Sequence, residues 1–353
     1  MIKIIVEVPE KCCQGKEFIM AFGSGDVGLD LGTSSVVICI NKKGVVVKES
    51  AVVAFDRSNN EVETFGEEAK EVIGRAAGNI IAVHPLIHGT ISNYTVAGKM
   101  VDYFLWKAVG RRTLCKPRVC VGVPTGATET ERKTVADICY SAGARNVVVV
   151  DKAVLAALGS GIDIARKEGA MIVDVGGGTT DIAVISMGGT VVGKSIQTAG
   201  GDFDEAIATY IKEQYNLLID VGIAEEIKKK IGTCKVTLQE KSMKIRGYNM
   251  EDGMIQDVTV TSSEIRKALD KNMKKIINAI KQVLIVTPPE MKQSVMEQGI
   301  LLSGGSALLN GMELRIEQEL GITTMTSDVP IDCTAIGASK YFSFLSKQRL
   351  SRK

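Results

Sequence analysis

Two segments of the chain each place an aspartate just before a glycine-rich turn. Asp30 ends one apolar stretch, and Asp174, 144 residues further on, ends another of the same pattern. The turns that follow consist of glycines and hydroxyl-bearing residues: Gly32, Thr33, Ser34 and Gly176, Gly177, Gly178, Thr179. Backbone N–H groups in such a turn bind phosphate oxygens, and neighbouring aspartates suit a hydrated Mg²⁺. One copy alone is equally typical of a tight hairpin, but two copies one domain length apart favour a di- or triphosphate clamped between facing turns.

A third glycine element connects a predicted strand to a predicted helix at Gly304, Gly305 and Ser306. Its backbone would lie flat against a nucleotide base or ribose, although a plain strand-to-helix turn explains it equally well. Gly201 and Asp202 form a similar turn before another helix, whose N-terminus favours anions. Residues 188–195 match the letters of the P-loop pattern Gly-x-x-x-x-Gly-Lys-Ser/Thr, and residues 23–28 match those of the dinucleotide-binding pattern Gly-x-Gly-x-x-Gly. Neither match lies in a turn that leads from a predicted strand into a predicted helix, as both classes of site require. The sequence therefore argues against both of these classes of nucleotide site.

Composition narrows the class of protein further. The 353 residues carry 43 Lys and Arg against 41 Asp and Glu, a formal net charge of +2, which argues against a dedicated nucleic-acid-binding protein. The eight cysteines form no Cys-x-x-Cys pair, and the two histidines lie in no cluster with metal-site spacing. We therefore expect reduced thiols and no zinc site. No apolar run approaches the ~20 residues that a membrane span needs, and no signal peptide is recognisable. We expect a cytoplasmic protein whose membrane contact, if any, is peripheral.

The elements that would position the glycine turns alternate between strands and helices. Strand patterns occur around both turns and at 117–124, 147–150 and 299–303, and helical spacing occurs at 128–143, 152–158, 202–214, 224–231, 262–284 and 307–320. This alternation is typical of the α/β class, with mixed sheets covered by helices. At ~100–200 residues per domain, the length predicts two domains.

The motifs together resemble the actin/DnaK-type ATPase superfamily, whose two phosphate loops and adenosine loop match the three glycine elements. Longer stretches narrow the resemblance to the MreB/Mbl family of bacterial actins: residues 66–75, 78–80, 182–188, 215–219 and 287–290. The resemblance covers residues 20 to 338. It implies an actin-like ATPase fold of two related domains, 20–163 and 164–340, each with a mixed sheet flanked by helices and with a nucleotide cleft between them. Small subdomains would occupy about 52–92 and 202–260, with an atypical extension at 1–19 and a basic tail at 341–353.

The resemblance also implies roles for individual residues, with ATP and Mg²⁺ as cofactors. Asp30 and Asp174 would hold the metal through water, Glu131 would position the attacking water, and Asp174 would be the second catalytic residue. The phosphates and the nucleoside would be bound by Gly32, Thr33, Ser34, Gly176, Gly177, Gly178, Thr179, Gly201, Asp202, Glu225, Lys228, Gly304, Gly305 and Ser306. Lys152 departs from the family, which has a glutamate at this position. The reversed charge bears on the hydrolysis rate more than on nucleotide binding.

Partners and location follow from the same resemblance. The chain would polymerise with itself and attach to the anionic inner face of the cell membrane through Leu114 and Cys115. Proteins of cell-wall elongation would be further partners, and nucleic acid would not. The function would be to organise cell-wall synthesis and rod shape, with slow ATP hydrolysis coupled to assembly. The alternatives are a nucleotide-binding scaffold with weak or absent hydrolysis and another ATPase or kinase on the same fold.

Overall fold

The computed structural model describes residues 25–59, 61–75, 79–110, 116–236 and 238–351. Its strands are β1 (Val27–Leu31), β2 (Ser35–Ile40), β3 (Gly44–Ser50), β4 (Val53–Asp56), β5 (Glu61–Phe65), β6 (Ile80–Val83), β7 (Leu86–Ile87), β8 (Thr90–Ile91), β9 (Arg118–Val123), β10 (Asn146–Asp151), β11 (Ala170–Val175), β12 (Thr180–Ser186), β13 (Gly189–Ile196), β14 (Leu217–Leu218), β15 (Ser242–Asn249), β16 (Ile255–Thr261), β17 (Ile300–Ser303) and β18 (Thr324–Thr326). The helices are α1 (Gly66–Arg75), α2 (Tyr94–Val109), α3 (Glu129–Ser141), α4 (Lys152–Gly159), α5 (Gly200–Tyr215), α6 (Val221–Ile231), α7 (Ser262–Val286), α8 (Pro289–Gln298), α9 (Met312–Leu320) and α10 (Cys333–Ser351).

Two five-stranded sheets of the same design form the centre of the molecule. The first has the strand order β10-β9-β1-β2-β3, and the second has the order β13-β12-β11-β17-β18. In each sheet the first three strands along the chain pair antiparallel. Two later strands then add in parallel beside the first of them. The predicted α/β class is confirmed, and the hairpin repeated in the sequence belongs to a repeated sheet topology.

Two smaller sheets lie away from this centre. One has the order β5-β4-β6 and packs against α1, and the other has the order β14-β15-β16 beside α5 and α6. A short hairpin, β7 with β8, follows the first of them. The small sheets fall in the parts of the chain where we predict the two subdomains, and the domain boundaries themselves stay predictions.

A group of buried side chains between the two large sheets joins the halves of the molecule. It contains Leu155 and Ala156 of α4, Cys333 and Ala338 of α10, and Ile172 of the second sheet. α10 comes from the end of the chain yet packs on β1 of the first sheet as well as on α4. The other two large groups of buried residues each lie within one half. α4 and α10 are therefore the helices about which the two halves are held together.

The starts of α3 and α7 follow capping residues, whereas one predicted helix begins later than expected. Thr128 caps α3, and Thr261 caps α7, where its hydroxyl accepts the N–H of Glu264. The helix predicted at 307–320 is wrong in its first part. Residues Gly305–Leu308 form a 3₁₀ turn, and α9 begins only at Met312. The reason is Gly311, whose φ of 75° is left-handed and cannot continue a helix.

The state of the cysteines and the presence of membrane-crossing helices can be assigned for the described residues. The five cysteines within the described ranges are free, buried thiols: Cys39, Cys120, Cys139, Cys234 and Cys333. Burial raises the pKa of Cys139 to about 12, so this thiol stays protonated and unreactive. In the part of the chain that the structure describes, no helix has both the length and the apolar character needed to cross a membrane.

Candidate functional site

The two predicted glycine turns lie against each other between the halves of the molecule. The first connects β1 to β2, and the second connects β11 to β12. A Cβ atom at Gly177 would lie 1.9 Å from Oγ of Ser34, and one at Gly178 would lie 2.3 Å from Oγ1 of Thr33. Only residues without a side chain permit this approach. The side chains of Thr33 and Ser34 therefore lie against the backbone of the second turn, which brings the two predicted phosphate-binding turns together.

A third turn, absent from our sequence prediction of the site, lies beside these two. It connects β7 to β8, and the N–H of Gly89 donates to Oγ1 of Thr33 at 2.8 Å. Nδ1 of His88 lies 3.2 Å from the carbonyl oxygen of Gly178. His88 has a φ of 47°, which few residues with a side chain adopt. The sequence signal is a His–Gly pair after apolar residues, typical of a tight turn, but its contact with both glycine turns depends on the fold.

Buried aspartates lie behind the turns. Asp174 and Asp181 are cross-strand partners on β11 and β12. Asp174 accepts a hydrogen bond from Oγ of Ser303 at 2.9 Å, and Asp181 accepts one from the N–H of Thr125 at 2.6 Å. Burial, together with the charges of Asp181 and Asp30, raises the pKa of Asp174 to about 7. Burial also raises the pKa of Asp181. We did not predict Asp181 as a site residue, although it ends the same glycine-rich motif.

The ammonium group of Lys152 lies among these carboxylates. Its Nζ is 2.8 Å from Oδ1 of Asp30 and donates a hydrogen bond to the carbonyl oxygen of Leu31 at 3.2 Å. The contact with Asp30 is an ion pair between two largely buried side chains. Burial alone would lower the pKa of Lys152, but the charges of Asp30, Asp174 and Asp181 outweigh burial and raise it. Lys152 is therefore charged at neutral pH.

The aspartates fit a magnesium ion that brings other ligands with it. Carboxylate oxygens such as those of Asp30 and Asp174 are what Mg²⁺ prefers, and the ion commonly takes one or two of them together with phosphates and water. Among the residues described, no group of three His, Cys, Asp or Glu side chains is arranged to hold a metal ion. Asp30 is moreover already paired with Lys152. The chemistry thus suits a metal carried by a phosphate ligand more than one chelated by the protein alone.

The other predicted glycine elements pack against the second turn. The N–H of Gly201, at the start of α5, donates to the carbonyl oxygen of Gly177 at 2.8 Å. Oγ of Ser306 donates to the carbonyl oxygen of Gly176 at 2.8 Å. Gly304 has a φ of 85° and closes against the end of β11, where a side chain would collide with the backbone. These hydrogen bonds place the predicted adenosine loop directly beside the predicted phosphate loop.

α6 carries the two residues predicted to contact ribose and base. Nζ of Lys228 donates to the carbonyl oxygen of Gly200 and to Oδ2 of Asp204, each at 2.8 Å. Glu225, one turn earlier, pairs with Lys229 at 2.8 Å. The fold therefore brings Lys228 to the start of α5, where it links α6 to the glycine elements. The roles of both residues toward a nucleoside stay predictions.

Two predicted acidic site residues also stabilise the first turn of a helix. Oδ2 of Asp202 accepts the N–H of Ala199 at 2.8 Å. Oε2 of Glu131 accepts both the N–H and the hydroxyl of Thr128 at 2.8 Å, and these hydrogen bonds lower the pKa of Glu131. Glu131 lines a cavity of about 290 Å³ that also reaches His88 and Thr179. Its carboxylate is thus ionised and lines the same cavity as Thr179 of the second glycine turn.

The predicted membrane-contacting residues Leu114 and Cys115 lie outside the described residues, as does the predicted extension at 1–19.

Duplicated five-stranded sheets, joined by α4 and α10 and facing each other through glycine turns, define an actin-like ATPase fold. Residues 24–349 match the MreB/Mbl protein family, and the chain therefore belongs to that family. It is 39% identical over 322 residues to the cell shape-determining protein Mbl of Bacillus subtilis (strain 168), covering 91% of this chain and 97% of that one. It is 36% identical to the cell shape-determining protein MreB of Escherichia coli (strain K12), covering 90% and 93% of the two chains.

Solved structures support the same fold. The crystal structure of MreB5 of Spiroplasma citri bound to ADP superposes with a TM-score of 0.87 at 32% identity, covering 94% of this chain and 99% of that one. The structure of the same protein bound to AMPPNP superposes with a TM-score of 0.85. The recognition of the family from the sequence is therefore confirmed, as is the actin-like fold.

Proposed function

We propose that this chain is an ATP-binding bacterial actin that assembles into filaments and takes part in determining cell shape. The observation that carries the proposal is the contact between the two glycine turns, one from each half of the molecule, at Gly177 with Ser34 and at Gly178 with Thr33. A nucleotide whose phosphates lie along both turns would join the halves and favour their closed arrangement. The relatives are cell shape-determining proteins, and the Spiroplasma citri structures hold ADP and AMPPNP, which supports this assignment.

In this proposal the chain's own residues bind and orient ATP. The N–H groups of the two turns hold the phosphate oxygens, and the loop at Gly304 to Ser306 lies against the adenosine. Asp30 and Asp174 would hold Mg²⁺ through water, and the ion would supply positive charge beside the phosphates. Glu131, whose pKa is lowered by the hydrogen bonds from Thr128, orients the attacking water as an ionised carboxylate.

Assembly follows from coupling the nucleotide to the shape of the subunit. α4 and α10 pack between the two large sheets, so relative movement of the halves pivots at these helices. Filaments require a head-to-tail contact that does not close into a ring. In the proposal, hydrolysis is slow and shifts the subunit away from the assembling shape. Filaments attach peripherally to the inner face of the cell membrane through Leu114 and Cys115 and meet the proteins of cell-wall elongation.

Filament formation is the direct test. Purified full-length chain is mixed with ATP and Mg²⁺, light scattering is recorded, and samples on anionic liposomes are imaged by electron microscopy. The proposal predicts filaments that depend on the nucleotide and collect on anionic vesicles. If filaments form under none of the nucleotide states and lipid compositions, the cytoskeletal function is refuted.

Asp174→Ala tests the nucleotide site separately from assembly. Loss of a charged ligand to the metal is expected to weaken binding of ATP in excess Mg²⁺ several-fold, up to about tenfold, as measured by calorimetry. Asp257→Ala is the matched control, because Asp257 is an aspartate on β16 paired with Arg246 and Lys244 outside the site. Equal affinities of the Asp174 variant and the unchanged chain would refute the metal role.

A second candidate function is a nucleotide-binding scaffold that does not hydrolyse ATP. The observation that favours it is the positive charge of Lys152, which lies 2.8 Å from Asp30 at the position where the family has a glutamate. A phosphate-release assay on assembled protein separates the two candidates. Release of phosphate supports the slow ATPase, and filaments without release support the scaffold.

A further inference from the structure

Lys152 is a buried cation in the middle of the proposed nucleotide site. It is the first residue of α4, and its side chain is only 9% exposed. Its Nζ lies 2.8 Å from Asp30 and 3.2 Å from the carbonyl oxygen of Leu31, and the charges of Asp174 and Asp181 also act on it. An unpaired ammonium is costly to bury, whereas this one is surrounded by carboxylates. The fold therefore holds a fixed positive charge at this point.

This charge lies directly beside the first glycine turn. A Cβ atom at Gly32 would be 3.9 Å from Nζ of Lys152, so the ammonium is adjacent to the backbone proposed to hold phosphate. A lysine binds phosphate as a compact point charge and has three N–H donors. Two of these donors are directed to Leu31 and Asp30. With two of its three donors used in this way, the ammonium has one donor left for a phosphate oxygen.

Asp151, the acidic residue just before Lys152, does not add a free carboxylate to the site. Asp151 forms an ion pair with Arg132 and accepts a hydrogen bond from Oγ1 of Thr190 at 2.9 Å. Its two oxygens are thus held by groups other than those around Lys152. The carboxylates that remain for a metal ion are Asp30, which is paired with Lys152, and Asp174, which is buried. The protein contributes few free charges to a divalent ion and contributes one positive charge of its own.

We propose that Lys152 takes over part of the charge-neutralising role of Mg²⁺, so that this chain binds adenine nucleotides in the absence of divalent ions. The inference rests on the proposed function, because it assumes that the glycine turns hold a nucleotide. Lys152 is a binding residue in this account, and its ammonium contacts the phosphates when the nucleotide is bound.

Nucleotide affinity with and without Mg²⁺ tests the proposal. AMPPNP and ADP are titrated into the full-length chain in excess EDTA and in excess MgCl₂, and the ratio of the two dissociation constants is compared between variants. For the unchanged chain, the affinity in EDTA is expected to stay within about tenfold of that in MgCl₂. Lys152→Gln is expected to lose about tenfold or more in EDTA and much less in MgCl₂, because the ion then replaces the lost charge. An equal loss in both buffers would mean a structural role and would overturn the proposal.

Controls separate the charge at this site from general effects. Lys107→Gln removes a lysine that pairs with Glu49 at 2.6 Å outside the site, and it should leave both affinities unchanged. Asp30→Asn provides a second variant if Lys152→Gln does not fold. It leaves the ammonium in place without its partner, so AMPPNP binding in EDTA should be retained or tightened, and a loss there contradicts the proposal. If the unchanged chain binds only in MgCl₂, the role of Lys152 is wrong, whereas binding in neither buffer refutes the proposed function itself.

Discussion

Replacing Gly337 with alanine should destabilise the protein, because α4 and α10 pack backbone to backbone at this residue. A Cβ atom at Gly337 would lie 1.8 Å from the carbonyl oxygen of Leu155, and one at Gly159 would lie 1.8 Å from that of Cys333. The helices thus contact each other through glycines inside the buried group that joins the two sheets. A rotamer change cannot relieve the contact, since a Cβ atom and a carbonyl oxygen are both fixed by the backbone.

The size of the effect follows from these distances. Non-bonded heavy atoms are best separated by ~3.5 Å, so the added methyl group requires the helices to move apart by ~1.7 Å. Overpacking in a close-packed interior typically costs about 1–3 kcal/mol. The neighbouring residues cannot move aside easily, because Leu155, Ala156 and Cys333 are all fully buried. The better helix propensity of alanine stabilises the helix by less than ~1 kcal/mol, so we expect the free energy of unfolding to fall by about 2 kcal/mol.

Urea unfolding followed by circular dichroism measures this loss, and Gly98→Ala is the matched control. Gly98 also lies inside a helix, α2, but a Cβ atom there would have nothing within 4 Å. The control should therefore gain about 0.5–1 kcal/mol from helix propensity alone. The two substitutions are chemically identical and have opposite expected signs. If Gly337→Ala is as stable as the unchanged protein, or if both variants shift alike, the glycine contact between α4 and α10 does not hold the halves together.

Three further predictions concern the site. Gly177→Val should weaken ATP binding about tenfold or more, because its Cβ atom would collide with Ser34 and force the two glycine turns apart; unchanged affinity in calorimetry would contradict the phosphate clamp. The pKa of Asp174 is raised from 3.8 to about 7, so the folded protein keeps a proton that the unfolded chain has lost, and stability falls as pH rises from about 4 to 7. Asp174→Asn removes this pH-dependent loss, so its free energy of unfolding at pH 8 in EDTA should exceed that of the unchanged chain by up to about 4 kcal/mol, with little difference at pH 4. If the free energies of unfolding of the two proteins, measured in urea, change with pH in parallel, the prediction is refuted. Glu131→Gln keeps an oxygen that accepts the N–H of Thr128, so nucleotide affinity should be retained. Because the ionised carboxylate that orients the attacking water is lost, phosphate release should slow about 100-fold, and equal release rates would remove Glu131 from catalysis.

The glycine turns are the part of the site that sequence patterns predict best. Each turn is local, because Asp30 and Asp174 end strands that continue directly into hairpins, and the repeat is visible in the residues alone. Helix starts are also local, as Thr128 shows. The break before α9 depends on the left-handed conformation of Gly311, which a helical pattern of apolar residues at 307–320 does not reveal.

Contacts between distant segments are the part that the sequence does not show. The hydrogen bond from Lys152 to Leu31 spans 121 residues, and that from Gly89 to Thr33 spans 56. A charge reversal at Lys152 is readable in the sequence, but the carboxylates around it are known only once both sheets are placed. His88 likewise enters the site only because the hairpin of β7 and β8 folds against the glycine turns.

The sequence by itself determined the class of the protein: two copies of an aspartate and glycine hairpin, the α/β alternation and the MreB/Mbl resemblance all follow from short-range patterns. Only the tertiary structure decided that these hairpins touch and that Lys152 lies among the aspartates behind them. The physical reason is that turns and helix caps are made by residues close in the chain. The electrostatics of the cleft depend on burial and on charges brought together from both halves, which no local pattern records.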